Sequence, residues 1–252
     1  MHSTRGALFC LQTIITDYVY IKAHHVRTKH DFAIDKGIFD VIDSSTDMIF
    51  LCNPNNPTGQ LVPKDILKSV AEKCLENNII LVCDECFLSF VTDGKSKSIR
   101  HFLNKNVIIL NAFTKIYSMA GLRLGYALFG STELAETVQK TGQYWSVSTP
   151  AQIAGIAALN EKNYIDKTVQ LINKERDFLT AELQKFGFRV FKSEANFILF
   201  RCDMPLDELL LREKIAIRNC GNYEGLSDGY FRIAVRNHEE NAMLITAIGR
   251  CL

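Results

Sequence analysis

Neither sign of charge dominates this chain: 29 lysines and arginines against 28 aspartates and glutamates leave a formal charge of +1 over 252 residues. That balance removes the usual electrostatic basis for holding nucleic acid or an anionic membrane surface. The few basic clusters, such as Lys95 to Arg100, read as solvated loop charge. Long apolar runs are also missing. The opening stretch Ala7-Leu-Phe-Cys-Leu11 falls well short of the roughly 20 residues a spanning helix needs, and no small-residue cleavage site follows it, so no membrane segment is expected. There is no internal repeat and no low-complexity tract. The eight cysteines lack the close, even spacing of a small disulfide framework. Cys83-Asp-Glu-Cys86 spells C-x-x-C, but no second pair stands at metal spacing, so buried reduced thiols in a cytoplasmic protein are expected, with no metal.

What is present is enough apolar material, 47% of residues, to bury a sizeable core in one large or two small domains. The middle of the chain alternates short apolar runs with segments of helical period, the habit of a mainly parallel sheet covered by helices. Met48 to Cys52 reads as a strand. A helix follows from Pro63, with Ile66, Leu67, Val70, Ala71, Cys74 and Leu75 on one face, and stops at Asn77-Asn78. Ile79 to Cys83 is a further strand, apolar throughout as doubly covered strands are. Val107 to Leu110 repeats the arrangement, and Tyr126 to Phe129 reads as another strand before a helix from about Glu133. Asn163 to Phe186 is a long amphipathic segment ending at Gly187. Strands at Phe188 to Phe191, Asn196 to Phe200 and Tyr230 to Val235, with helices at Pro205 to Glu213 and Glu239 to Ile248, then make a smaller α+β domain. The expected division is 1–160 and 161–252.

Two residues stand where chemistry is expected. Asp84 ends one buried strand, at the carboxyl edge where open α/β sheets place their ligand crevices, and Lys115 follows the next strand at the same edge. An amine and a carboxylate so placed suit pyridoxal phosphate, which needs a lysine for its Schiff base and an acid beside its ring nitrogen. Asn55-Asn-Pro-Thr-Gly59, on its own, is a tight turn whose residues serve backbone geometry. Directly after a strand, it also aims an asparagine amide toward the same crevice.

Taken in order, Asn53-Pro-Asn-Asn-Pro-Thr-Gly59, Asp84-Glu85, Thr114-Lys115 and Gly121-Leu-Arg-Leu-Gly-Tyr126 resemble the class I aminotransferase superfamily of fold type I pyridoxal-phosphate enzymes, over roughly residues 45 to 250. The resemblance implies an α/β large domain on a mainly parallel sheet and a small C-terminal α+β domain. It implies that Lys115 binds the cofactor covalently, that Asp84 pairs with the ring nitrogen, that Asn56 bonds the 3-oxygen, and that Thr114 and Arg123 hold the phosphate. Family members carry a longer segment before residue 45, with a Gly/Ser-rich turn for the phosphate and an aromatic that stacks on the ring. Residues 1 to 44 show neither, so the large domain is expected to be incomplete at its N-terminus, with Thr13 to Ile21 as a preceding strand.

The last third speaks to substrate. Ile217 to Leu226, leading to Gly229-Tyr-Phe-Arg-Ile-Ala-Val-Arg236, resembles the threonine-phosphate decarboxylase branch, related to histidinol-phosphate aminotransferases. By that resemblance Arg232 holds the substrate carboxylate and Arg218 is a second substrate arginine, together suiting a phosphorylated amino acid. Strand alternation sets Arg232, Ala234 and Arg236 opposite Phe231, Ile233 and Val235, so the arginines point away from the core. Phe87 stands three positions after the aspartate, where aminotransferases of this group have tyrosine, which favours the decarboxylase branch. Ala112 replaces a usual phosphate-binding Ser or Thr. The readings in order are a lyase acting on threonine phosphate, a histidinol-phosphate-type aminotransferase, and a truncated relative without turnover. Intact relatives are usually homodimers with active sites near the subunit interface, and the resemblance alone does not fix the assembly of this chain.

Overall fold

The computed structural model describes residues 31–252. The expected strand at Thr13 to Ile21 and the apolar stretch Ala7 to Leu11 lie outside the described residues. The described chain forms two compact units. One comprises Ile34–Pro54 and Leu61–Lys167; the other comprises the described residues up to Ala33 together with Asn55–Gln60 and Thr168–Leu252.

The first unit is built on strands β1 (Met48–Cys52), β2 (Ile80–Asp84), β3 (Val107–Ala112) and β4 (Gly125–Phe129), hydrogen-bonded in that order. β1, β2 and β3 are parallel, whereas β4 runs antiparallel to β3. The reversal follows from the connection: between β3 and β4 there is no crossover helix, only the single turn α2 (Phe113–Ile116) and a 3-10 turn, so the chain folds back on its neighbour. Leu81, Val82, Cys83, Val107, Ile108 and Ile109 are buried, as strands covered on both faces require.

Helix α1 (Lys64–Glu76) buries the face expected from its spacing, Ile66, Leu67, Val70, Ala71 and Cys74; each large side chain there contributes about 1.5–3 kcal/mol. Leu75, expected on that face, is exposed. The helix stops at Asn77 and Asn78, the latter at φ 55°, a conformation asparagine tolerates. Carbonyls of its last turns are satisfied from outside: Asn104 Nδ2 donates to Ala71 O and Asn106 Nδ2 to Cys74 O.

Three further helices follow. α3 (Thr132–Thr141) is capped by Ser131 and α4 (Thr149–Asn160) by Ser148. α5 (Tyr164–Lys185) ends just before Gly187 at φ +79°. α4 was not foreseen in the sequence, because its Thr-Pro-Ala-Gln-Ile-Ala-Gly-Ile-Ala-Ala-Leu-Asn is apolar all round and has no face to show a period.

The second unit carries an antiparallel sheet of β5 (Arg189–Val190), β6 (Phe197–Arg201), β7 (Arg218–Asn219) and β8 (Tyr230–Ala234), in the order β5-β6-β8-β7. Ile198, Phe200, Phe231 and Ile233 share one face. They are buried, as are Leu179 and Leu183 of α5 and Leu244, Ala247 and Ile248 of the last helix, α7 (His238–Cys251). α6 (Leu206–Arg212) joins β6 to β7. Phe32, Phe191, Leu199, Cys220, Tyr223 and Tyr230 form a separate, largely aromatic cluster. β7 was not foreseen, since two residues carry no readable alternation. The described cysteines are all free thiols. No helix among the described residues is long and apolar enough to cross a membrane.

Candidate active site

Asp84 is the last residue of β2 and pairs in register with Leu110 of β3, so the segments carrying Asp84 and Lys115 leave neighbouring parallel strands at the same end. The Asp84 carbonyl accepts from Asn53 N at 2.9 Å. Its carboxylate Oδ1 accepts from Cys86 N at 2.9 Å, and Oδ2 has no hydrogen-bond partner among the described residues. Lys115, on the single turn α2, is exposed, and its Nζ lies 5.8 Å from the centroid of the Phe87 ring. Phe87 stands three residues beyond Asp84 in the chain. Lys115 makes no ion pair among the described residues.

Arg123 adopts a left-handed backbone at φ 54° between Gly121 and Gly125. Its Nη1 donates to Ala120 O at 3.0 Å, and the rest of the guanidinium has no hydrogen bond or ion pair among the described residues. Thr114 is half-buried beside Lys115. This first set therefore offers an uncommitted amine, a carboxylate with an open oxygen and a guanidinium with open donors, a chemistry that fits pyridoxal phosphate.

An aromatic group around α2 went unnoticed in the sequence, although the spacing of Phe113 and Tyr117 allows it. Phe113 stacks on Tyr117 at 5.2 Å, Tyr117 stacks on Tyr164 at 5.5 Å, and Tyr126 meets Phe113 edge-on at 5.9 Å. Burial raises the phenol pKa of Tyr117 and of Tyr126 above the ordinary range.

Behind Asp84, Glu85 is buried. Its Oε2 accepts from Ser98 Oγ at 2.7 Å and its Oε1 from Ile99 N at 2.8 Å. Burial pushes its carboxyl above the ordinary range, against the opposing pull of hydrogen bonds from Ser98, Ile99 and Asn53.

Asn56 belongs to the second unit. In its turn, Asn55 N donates to Gln60 O at 2.8 Å, Gly59 N to Asn55 O at 2.7 Å, and Thr58 Oγ1 to Asn55 Oδ1 at 3.1 Å. Gly59 has φ +74°, and a Cβ there would collide with the Ser193 hydroxyl. Its carbonyl accepts from Glu194 N at 2.8 Å. The turn is thus seated against residues 193 to 197, where Ser193 Oγ donates to Phe197 O at 2.6 Å. Arg232 Nη1 donates to Asn56 Oδ1, and the Arg232 guanidinium lies 5.2 Å from the Phe197 ring.

Arg218 of β7 pairs in register with Arg232 of β8. Its Nη2 donates to Asn222 Oδ1 at 3.0 Å, with the guanidinium 5.7 Å from the Tyr223 ring. Neither arginine has an ion pair among the described residues. The other arginines of this sheet do: Arg189 pairs with Asp31 at 2.8 Å and Arg201 with Asp203 at 3.0 Å, while Arg236, just past β8, pairs with Glu240 at 2.8 Å. Burial pushes the Cys220 thiol up to about 11, against the opposing pull of Arg232 and Arg218.

Residues 19–248 match the sequence profile described as Aminotransferase class I and II. The threonine-phosphate decarboxylase of Salmonella typhimurium is 32% identical over 238 residues, 92% of this chain and 65% of that protein. A histidinol-phosphate aminotransferase of Methanothermobacter thermautotrophicus is 31% identical over 243 residues, 91% of this chain and 64% of that protein. The chain therefore spans a little under two thirds of the length of these relatives. Among solved structures, the histidinol-phosphate aminotransferase of Clostridium acetobutylicum superimposes with a TM-score of 0.80 at 32% identity, covering 88% of this chain and 69% of that one. The fold is that of fold type I aminotransferases.

Proposed function

Since the chain belongs to the aminotransferase class I and II family, whose members depend on pyridoxal phosphate, we propose that it is a pyridoxal-phosphate lyase that decarboxylates L-threonine O-3-phosphate to aminopropanol phosphate. When bound, the cofactor supplies an aldehyde for amines and an electron-withdrawing ring. Lys115 would hold it covalently and would serve as the proton carrier. Asp84 keeps the ring nitrogen protonated through its open carboxylate oxygen, and Thr114 and Arg123 hold the phosphate. A guanidinium only donates, so Asn56 presents its Oδ1 to Arg232 and keeps its Nδ2 as the donor that would bond the ring's 3-oxygen. Arg232 and Arg218 take the substrate's carboxylate and phosphate.

The observation that carries the substrate class is the Arg218 and Arg232 pair. Like charges directly opposite on neighbouring strands repel, and among the described residues these two lack carboxylates such as those that compensate Arg189 and Arg201. A ligand with two anionic groups supplies the missing compensation. Phe87 in place of tyrosine favours the lyase. The likeness to histidinol-phosphate aminotransferases favours a second reading, amino transfer from a phosphorylated amino donor. The same proposal makes the protein a cytoplasmic homodimer.

Incubation with threonine phosphate separates the two readings. Release of carbon dioxide with aminopropanol phosphate supports the lyase. Amino transfer that requires a keto acid and releases no carbon dioxide establishes the second reading instead.

A further inference from the structure

We propose that Glu85 is the positioning residue for Asp84, its buried carboxylate locking the strand-end corner from which Asp84 projects. This inference rests on the cofactor reading above.

Asp84 cannot aim itself. Among the described residues its carboxylate has one hydrogen bond, from Cys86 N two residues on, so its direction is inherited from the backbone around it. That backbone is held from both sides: Asn53 N donates to Asp84 O at 2.9 Å and Glu85 N donates to Leu110 O at 2.9 Å. Glu85 then fixes the corner to a third piece of chain, accepting from Ser98 Oγ and Ile99 N at 2.7 and 2.8 Å. Asn53, fully buried, closes the arrangement. Its side chain donates through Nδ2 to Lys97 O at 3.1 Å and accepts through Oδ1 from Val62 N at 3.0 Å.

A buried carboxylate is an expensive way to hold a turn. Its desolvation cost is visible in the raised proton affinity, and an apolar side chain would avoid that cost while leaving the Ile99 N–H unpaired. A carboxylate offers two acceptor oxygens on one rigid plane, enough to meet donors from two groups at once. The residue so fixed is the direct neighbour of Asp84.

A double-mutant cycle tests this, with pyridoxal phosphate affinity measured by absorbance titration and cofactor-free stability by urea unfolding. Glu85→Ala is expected to weaken cofactor binding about tenfold, within the range typical of residues in one network. In an Asp84→Ala background it is expected to leave affinity unchanged while lowering stability by the same amount. Glu85→Gln is expected to restore affinity to within about twofold, because the Ser98 hydroxyl can turn to accept from the amide and keep both contacts. If Glu85→Ala does not fold, Ser98→Ala takes its place in the cycle with the same expectation. Equal losses of affinity in both backgrounds, or no loss in either, overturn the positioning role alone. Failure of the unsubstituted protein to bind the cofactor overturns the underlying reading, and this proposal with it.

Discussion

Arg218 and Arg232 face one another across the β7–β8 pairing, each resting on an aromatic ring and each bonded to an asparagine side chain, with no carboxylate among the described residues to offset either charge. On the same sheet Arg189 and Arg201 are also cross-strand partners, yet each has its own aspartate. The bare pair is where we propose that the anionic groups of the substrate bind.

Substituting Arg218 should therefore separate stability from binding. Arg218→Ala removes a like-charge neighbour worth about 0.2–1 kcal/mol, so the unfolding midpoint in low-phosphate buffer should hold or rise slightly. The same change should raise KM for a phosphorylated substrate about 10- to 100-fold, the value of a charge-assisted hydrogen bond of about 1.5–3 kcal/mol. A fall in stability with no change in KM would show the arginine to be structural.

Gly59 and Gly187 provide a matched comparison. Both lie in the left-handed region, at φ +74° and +79°, but a Cβ at Gly59 would meet Ser193 while one at Gly187 would meet open space. Gly187→Ala should cost only the conformational penalty, about 1–2 kcal/mol. Gly59→Ala should add an overpacking cost of about 1–3 kcal/mol. Urea unfolding of the two variants checks this, and equal losses would mean that the 55–60 turn is not seated on Ser193.

Glu85 should leave a mark on the pH dependence of folding. Burial raises its pKa, so the native state holds the proton more tightly than the unfolded chain, whose glutamates titrate near about 4.3. Its contribution is fully present below that value and is lost as pH rises through the folded pKa. Glu85→Gln should abolish that part of the decline, so the gap between variant and unsubstituted protein should move in the variant's favour as pH rises from acid toward neutrality. A gap that stays constant across that range would contradict the raised value.

Much of this was legible in the sequence because particular residues leave periodic or punctuating signals. α1 shows its buried face at helical spacing and stops at Asn77 and Asn78, and β2 reads as a doubly covered strand. Asp84 and Lys115 were singled out by the strands that precede them, and Arg232 by the family resemblance, with alternation along β8 giving only its face. Other features left no such signal. α4 is apolar on every side, and β7 is two residues long. Glu85 had no role of its own in the sequence beyond standing beside Asp84, because its contacts are with Ser98 and Ile99, which no local spacing announces. The assignment of the 55–60 turn to the unit containing Ser193 and Arg232 is likewise a long-range fact, invisible in a turn motif read by itself.

The central claim is that Lys115 is the amine that takes the cofactor. Purified protein should be mixed with pyridoxal phosphate, reduced with borohydride, digested and mapped by mass spectrometry. The account predicts a stable pyridoxyl adduct on Lys115 that is absent from Lys115→Ala. No adduct, or one spread over surface lysines and undiminished in the Lys115→Ala variant, would contradict it.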